Sequence, residues 1–267
     1  MKRILQIGNS IAFVSVVFIN YLSNTGLMNN TTIGEISGSY RSLFTPAGYT
    51  FAIWGVIYFL LFGFVIYQGR SLWSKKVKND DFVTRTGWWF IVSCIFNSAW
   101  VFAWIFEYTG LSCVLILLLL FSLLQIIFKN RMKLDVESLP IITFLWWPFV
   151  IYSGWVTVAS IANISTYLIK IGWEGFGISD VIWAIILIII ATLINIIVIW
   201  KRNMCEFALV GAWALVGIGS ANIDNHDIIT YTAFISAVLL IIISGIHGIK
   251  NFHMSVFKKL KELMVNK

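Results

Sequence analysis

The feature that most constrains this chain is an apolar run about twenty residues long that recurs down its length. Wound as a helix, such a run crosses the roughly 30 Å of hydrocarbon in a bilayer. Eight can be read, at 6–23, 47–68, 87–106, 111–128, 140–163, 180–200, 205–222 and 228–249. In lipid every backbone N–H and C=O must find its partner inside the protein, which leaves helices or closed barrels. The period-two alternation of a membrane barrel is absent. The chain is therefore read as all-α, a polytopic transmembrane helix bundle of about eight spans. Composition agrees: only 12% of the 267 residues are charged and 59% are hydrophobic, against about a quarter charged in a soluble domain. The seventh span is the weakest, because it is Gly-rich and begins at Glu206.

The basic residues orient the spans. Lys2 and Arg3 precede the first run as they would in a signal peptide, but no small-residue cleavage site follows and seven more spans do, so it reads as a helix. With the N-terminus cytoplasmic, seventeen of the 19 Lys and Arg residues fall in cytoplasmic segments and only Arg41 and Lys170 outside. This places both termini in the cytoplasm and the chain in the cell membrane as a multi-pass protein, with the lipid bilayer as its first partner. The net charge of +7 belongs to these short loops and speaks against a nucleic-acid partner. Residues 251–267 read as a basic amphipathic tail, with Phe252, Val256, Phe257, Leu260 and Leu263 opposed to Lys258, Lys259 and Lys261; such a helix lies on an anionic leaflet.

No catalytic constellation is present. His226, His247 and His253 are not spaced with Cys or Glu as metal ligands, and Cys94, Cys113 and Cys205 fit no metal motif. No ionisable residue sits near the middle of a span, where ion and proton carriers place theirs. An enzyme is the reading the residues support least, and no cofactor or metal is called for.

Aromatic content stands out: 13 Trp, 9 Tyr and 21 Phe. Interfacial anchoring accounts for Trp73, Trp88, Trp89, Trp173 and Trp200, but Trp54, Trp100, Trp104 and Trp155 lie inside their spans. Counted from the outer ends at 47, 106 and 163, the indoles of Trp54, Trp100 and Trp155 share a depth of roughly 10 Å. Asn97, Trp100 and Trp104 form one helix stripe, and Trp155, Ala159 and Asn163 another. Facing inward, these stripes make either an aromatic ligand chamber in the outer half of the bundle or plain helix packing with amides bonded across it.

Leu43-Phe44-Thr45-Pro46-Ala47-Gly48-Tyr49-Thr50-Phe51-Ala52-Ile53-Trp54-Gly55-Val56-Ile57-Tyr58 is a Pro-containing stretch running into the second span. It resembles the turn and second helix of the TspO/tryptophan-rich sensory protein family, also called the translocator protein or peripheral benzodiazepine receptor family. Phe96-Asn97-Ser98-Ala99-Trp100 is similar to its Leu-Asn-x-x-Trp, and the stretch from Tyr152 through Trp155 and Ala159 to Asn163 to its fifth helix. The resemblance covers about residues 1–168 and implies a TspO-like five-helix bundle with a cavity capped by the loop between helices one and two. Residues 169–250 would then be three additional transmembrane helices, followed by the tail. The family's Trp-x-Pro-Pro turn is reduced to Phe44-Thr45-Pro46-Ala47, and its helix-five Pro is replaced by Ile151, with Pro148 close enough to kink the helix instead. The acidic residue and Trp of the family's helix four are missing from 111–128. Gly217 and Ala221, with Gly211 nearby, offer a small-residue face, which would dock on the bundle or take the place of the dimer contact of shorter relatives.

By resemblance the chain is expected to be a receptor or sensor for a small flat hydrophobic ligand, a porphyrin or other tetrapyrrole, or a sterol. Trp54, Trp100 and Trp155 would stack on its ring and Asn97 and Asn163 would bond its polar edges. Trp104, Tyr58, Tyr152 and Ala159 would line the walls. A transporter of apolar or amphipathic solutes is the alternative, and its cavity would be lined by spans six to eight as well. A light-dependent porphyrin-degrading protein, acting through the positions matched by Trp54 and Trp155, is a third. Val65-x-Tyr67-x-x-Arg70 fits a proposed sterol-contact pattern that is more often an interfacial anchor.

Overall fold

The computed structural model describes residues 1–74, 80–135 and 137–251. The expected amphipathic tail lies outside the described residues, apart from its first position. The helices are α1 (Lys2–Leu22), α2 (Ile33–Ser39), α3 (Ile53–Trp73), α4 (Phe82–Thr86), α5 (Trp89–Ile105), α6 (Thr109–Lys129), α7 (Leu139–Ile141), α8 (Trp147–Lys170), α9 (Asp180–Arg202), α10 (Cys205–Asn222) and α11 (Asp227–Lys250). The eight long ones coincide with the eight apolar runs. Seven are long and apolar enough to cross a membrane, and α5 is shorter, at 17 residues or about 26 Å. This is a multi-span, all-α membrane protein.

Their ends depart from the sequence reading for local reasons. The span read from 47 opens as a 3-10 turn over Gly48–Ala52 before α3 begins. The span read from 140 opens with a π-helical turn, Ile142–Trp146, immediately ahead of Pro148. Proline has no N–H to give to the carbonyl four residues back, and a widened turn absorbs the misfit. The same helix runs seven residues past 163, to Lys170. A tight turn joins α9 to α10, with Asn203 in the left-handed conformation at φ 56°, which Asn tolerates at a helix end.

Helices α1, α3, α8, α6 and α5 close a ring in that order, and α9, α10 and α11 pack on one another. The two groups join through α10, which lies along α8 and against the Gly48–Ala52 turn. Here Gly217 of the small-residue face docks on the bundle, while Gly211 faces Asn195 of α9. A Cβ on Gly217 would stand 2.1 Å from Thr50 Oγ1, one on Gly211 2.5 Å from Asn195 Oδ1, and one on Gly154 of α8 2.9 Å from the Phe207 carbonyl. These contacts exist only because side chains are missing. Glycines lower the span's hydropathy and at the same time make it the central helix of the second group.

We call the end of the bundle carrying residues 23–52 the loop end and the opposite one the basic end. At the basic end, Gln6 donates to the Gln68 carbonyl (2.5 Å) and to Ser71 Oγ (2.8 Å), and Asn9 donates to Gln68 Oε1 (2.8 Å). Lys133 pairs with Glu206, whose carboxylate also accepts from Trp147 Nε1 at 3.1 Å. Tyr67 lies near parallel to both Phe82 and Phe144, with the Arg70 guanidinium over its ring.

Candidate functional site: an aromatic cluster under a docked lid

Trp54 occupies the second position of α3 and is the hub of the site. Its indole stacks on Tyr58 one turn on (centroids 5.6 Å apart, 19° between planes) and on Trp100 of α5 (6.3 Å, 28°). It meets Tyr152 (5.7 Å, 71°) and Trp155 (6.3 Å, 84°) of α8 edge to face. Trp100 stacks in turn on Trp104 at 5.9 Å. The rings expected at one depth thus meet, although the end-counting that placed them was inexact for α3 and α8. Phe51, in the 3-10 turn and within the motif that resembles the family's second helix, adds an edge contact to Trp155 at 5.8 Å, although the sequence reading did not count it among the site residues.

The amides serve the protein. Asn97 donates to Tyr152 Oη and accepts from Asn20 Nδ2, both at 2.7 Å. Asn163 accepts from Trp100 Nε1 at 2.7 Å and donates to Ser112 Oγ at 2.8 Å. Trp104 Nε1 donates to the Ile33 carbonyl at 3.1 Å. Asn20 was missed by sequence reasoning; its signal was a third amide, after Gln6 and Asn9, on the first span, in its last turn and level with Asn97. Two groups of the cluster remain unsatisfied among the described residues: Tyr58 Oη and Trp155 Nε1 are buried without a hydrogen-bond partner.

Open space lies on both sides of Trp54. A small cavity of about 50 Å³ is lined by Trp54, Trp100, Trp104, Trp155, Ala159 and Asn163. A cleft of about 910 Å³ lies toward the loop end, lined by Trp54, Tyr58, Phe51, Asn20 and residues 32–48 of the loop, with Ser220 and Ala221 of α10. Both share Ile33, Ser37, Thr45, Pro46, Phe51 and Trp54. Sites for drug-sized ligands occupy about 300–1,000 Å³, so the cleft has room for one and the inner cavity does not. Trp54 and Trp100 stack on each other rather than flanking a gap. Asn97 and Tyr152 line neither space.

The lid over the cleft is built locally and clamped from two sides. Thr32 and Glu35 cap α2 reciprocally: Thr32 Oγ1 accepts from the Glu35 N–H at 3.2 Å, and Glu35 Oε2 from the Thr32 N–H at 2.7 Å. On the α5 side, Asn29 donates to the Ile105 carbonyl at 3.1 Å. Tyr40 Oη donates to Glu107 Oε2 at 2.6 Å, which Lys170 also bonds at 2.9 Å. The hydrogen bond from Tyr40, and then that from Lys170, hold the Glu107 carboxyl below the usual carboxylate range. The same bond pushes the Tyr40 phenol up. On the α10 side, Ala47 N–H donates to the Gly217 carbonyl, Asn222 Nδ2 to the Leu43 carbonyl and Trp213 Nε1 to the Thr50 carbonyl, each at 3.0 Å.

No curated protein and no solved structure matches the chain. The profile of the family described as TSPO-like protein does, over residues 6–246. That stretch starts in α1, takes in the aromatic cluster and both clamps of the lid, and runs past residue 168 into α11, so the chain belongs to the TSPO-like protein family.

Proposed function

We propose that this protein is a membrane receptor that takes a flat hydrophobic ligand, a tetrapyrrole first among them, into the cleft between the lid and α3. The ligand's ring stacks on Trp54, and an acceptor on its edge reaches Trp155 Nε1. The observation that carries this reading is the unpartnered indole N–H of Trp155, which is only 2% exposed, in the wall of the small inner cavity that shares Phe51 and Trp54 with the open cleft. A buried donor without a partner costs about 1–3 kcal/mol, and a ligand acceptor removes that cost. The ring of Trp54, which lines the cleft and is backed by Trp100, supplies the face on which a planar molecule stacks. The basic end faces the cytoplasm of a cell membrane, following the placement of Lys and Arg, and the cleft opens to the other side.

The test is titration of the full chain in detergent with protoporphyrin IX, followed by intrinsic Trp fluorescence. The expected result is saturation at one ligand per chain with a micromolar or tighter Kd, weakened in Trp54→Ala and Trp155→Ala. Linear, unsaturable quenching, or unchanged affinity in both variants, overturns the reading. A transporter is the second reading, favoured by one observation: Ser220 and Ala221 of the seventh span line the cleft. Uptake of the porphyrin into sealed proteoliposomes, against binding without uptake, decides between the two.

A further inference from the structure

A second large cavity lies apart from the aromatic cluster, between the loop ends of α8 and α9, with a volume of about 620 Å³. Helix α9 packs on α10 and α11 and touches α8 only slightly, which leaves a gap. Its walls are apolar: Ile161, Ile164 and Leu168 from α8, and Val181, Ala184 and Leu187 from α9. From the level of Asp180 to that of Leu187 the groove runs about 10 Å along the helix axis. Ile164 and Ile169 stay exposed on its rim, so the gap opens to the membrane. Apolar space of this kind does not hold water, and the apolar material around it is acyl chain.

The mouth of the groove is polar. Arg41, Asp180 and His226 line it. Arg41 donates to the Ala221 carbonyl at 2.6 Å. Neither Arg41 nor Asp180 belongs to an ion pair among the described residues, where the paired groups are Lys2, Arg131, Lys133 and Lys170 with Asp80, Asp135, Glu206 and Glu107. A cation and an anion that share a rim without neutralising each other are complementary to a headgroup carrying both charges. Trp173 and Trp183 complete the rim, with centroids 5.2 Å apart and the Trp183 N–H fixed on the Gly175 carbonyl at 2.9 Å. Indoles so placed mark headgroup depth.

We infer that this groove binds a membrane phospholipid with a zwitterionic headgroup. One acyl chain lies between α8 and α9, the phosphate meets Arg41 and the ammonium meets Asp180. An anionic headgroup without the amine meets repulsion from Asp180 and leaves that carboxylate without a partner.

The experiment uses the full chain in detergent, incubated with equal amounts of palmitoyl-oleoyl phosphatidylethanolamine and phosphatidylglycerol. Retained lipid is counted by native mass spectrometry. The wild type is expected to retain phosphatidylethanolamine in preference. Asp180→Asn should cut that preference about tenfold, the worth of one charge-assisted contact. Arg41→Ala should lower retention of both lipids by a similar factor. Ile164→Trp, which fills the groove from an exposed position, should remove both, whereas Arg131→Ala at the basic end should change nothing. Equal retention of the two lipids by the wild type, a preference for phosphatidylglycerol, or an unchanged profile in both Asp180→Asn and Ile164→Trp overturns the inference.

Discussion

The same three helices carry two aromatic tiers, and the tiers do different things. Toward the loop end, α3, α5 and α8 contribute Trp54, Trp100 and Trp155. Toward the basic end they contribute Phe64, Phe90 and Phe149, about 15 Å away along α3 and α5 and about 9 Å along α8. In the phenylalanine tier Phe64 meets Phe149 at 4.9 Å and Phe90 at 5.1 Å, edge to face, and all three rings are fully buried. Phenyl rings have no polar atom to satisfy, so they close on one another and seal the bundle. Indoles and phenols carry a donor that must be answered. In the upper tier the Trp100 N–H is answered by Asn163 and the Trp104 N–H by the Ile33 carbonyl, whereas Tyr58 Oη and Trp155 Nε1 stay buried without a partner among the described residues, and the tier borders open space. One tier is closed core, and the other is core that borders a cleft and leaves a buried donor unpaired.

The largest expected effect tests that division directly. Phe64→Ala should remove a ring from the closed tier and cost about 3–5 kcal/mol of stability, seen as a large drop in Tm in detergent with the porphyrin stoichiometry of the surviving folded fraction unchanged. Trp54→Ala borders a cleft already open, and should lower Tm far less while weakening the porphyrin titration more. Equal losses of Tm in the two variants would make the upper tier ordinary packing.

The next effect concerns the seam between the helix groups. A methyl on Gly217 would stand 2.1 Å from Thr50 Oγ1, at the point where α10 holds the lid. Gly217→Ala should cost about 1–3 kcal/mol by overpacking and should weaken ligand binding as the Ala47 and Thr50 contacts shift. Gly38→Ala, whose new Cβ meets nothing within 4 Å, is the matched control and should leave Tm in place. An unchanged Tm in Gly217→Ala would mean that α10 does not clamp the lid.

What could be read beforehand follows from which forces leave a mark in one dimension. Membrane crossing demands length and apolarity, so all eight spans were visible. The helix stripes of Trp100 and Trp155 were visible because an indole inside an apolar span is unusual. The phenylalanine tier was invisible, since Phe64, Phe90 and Phe149 look like any apolar residue in a span. Asn97 and Asn163 were open to two readings, ligand contacts or amides bonded across the bundle, because their partners, Tyr152, Asn20, Trp100 and Ser112, come from other helices. The central place of α10 was hidden by the very glycines that allow it: they lower hydropathy locally, and their purpose shows only against Thr50 and Asn195. The lid clamp likewise joins residues up to 180 apart in the chain, which no local pattern records.

A smaller effect isolates the unpaired Trp155 donor. Trp155→Phe keeps the ring and deletes the N–H that has no protein partner, so Tm should hold. The porphyrin Kd should rise about fivefold to tenfold, the worth of one hydrogen bond. The same change at Trp100, whose N–H is bonded to Asn163, should lower Tm instead. If the two variants behave alike, the difference drawn between satisfied and unsatisfied indoles is empty.

The smallest effect lies in the α5-side clamp and depends on pH. Glu107 titrates lower in the folded protein than in the unfolded chain, through Tyr40 and then Lys170. Its contribution to lid docking is therefore complete above the ordinary carboxylate value of about 4.3 and is lost as pH falls through the depressed folded value. The carboxylate is 40% exposed, so solvent screens the interaction and the gain is modest. Hydrogen-exchange protection of the α2 amides, corrected for intrinsic rates, should fall between pH 6 and pH about 3, while amides around Phe64 and Phe149 keep theirs. Glu107→Gln should already show the low-pH protection of α2 at pH 6. Loss of protection in both regions together would mean that acid unfolds the whole bundle, and the lid would then be no looser than the core beneath it.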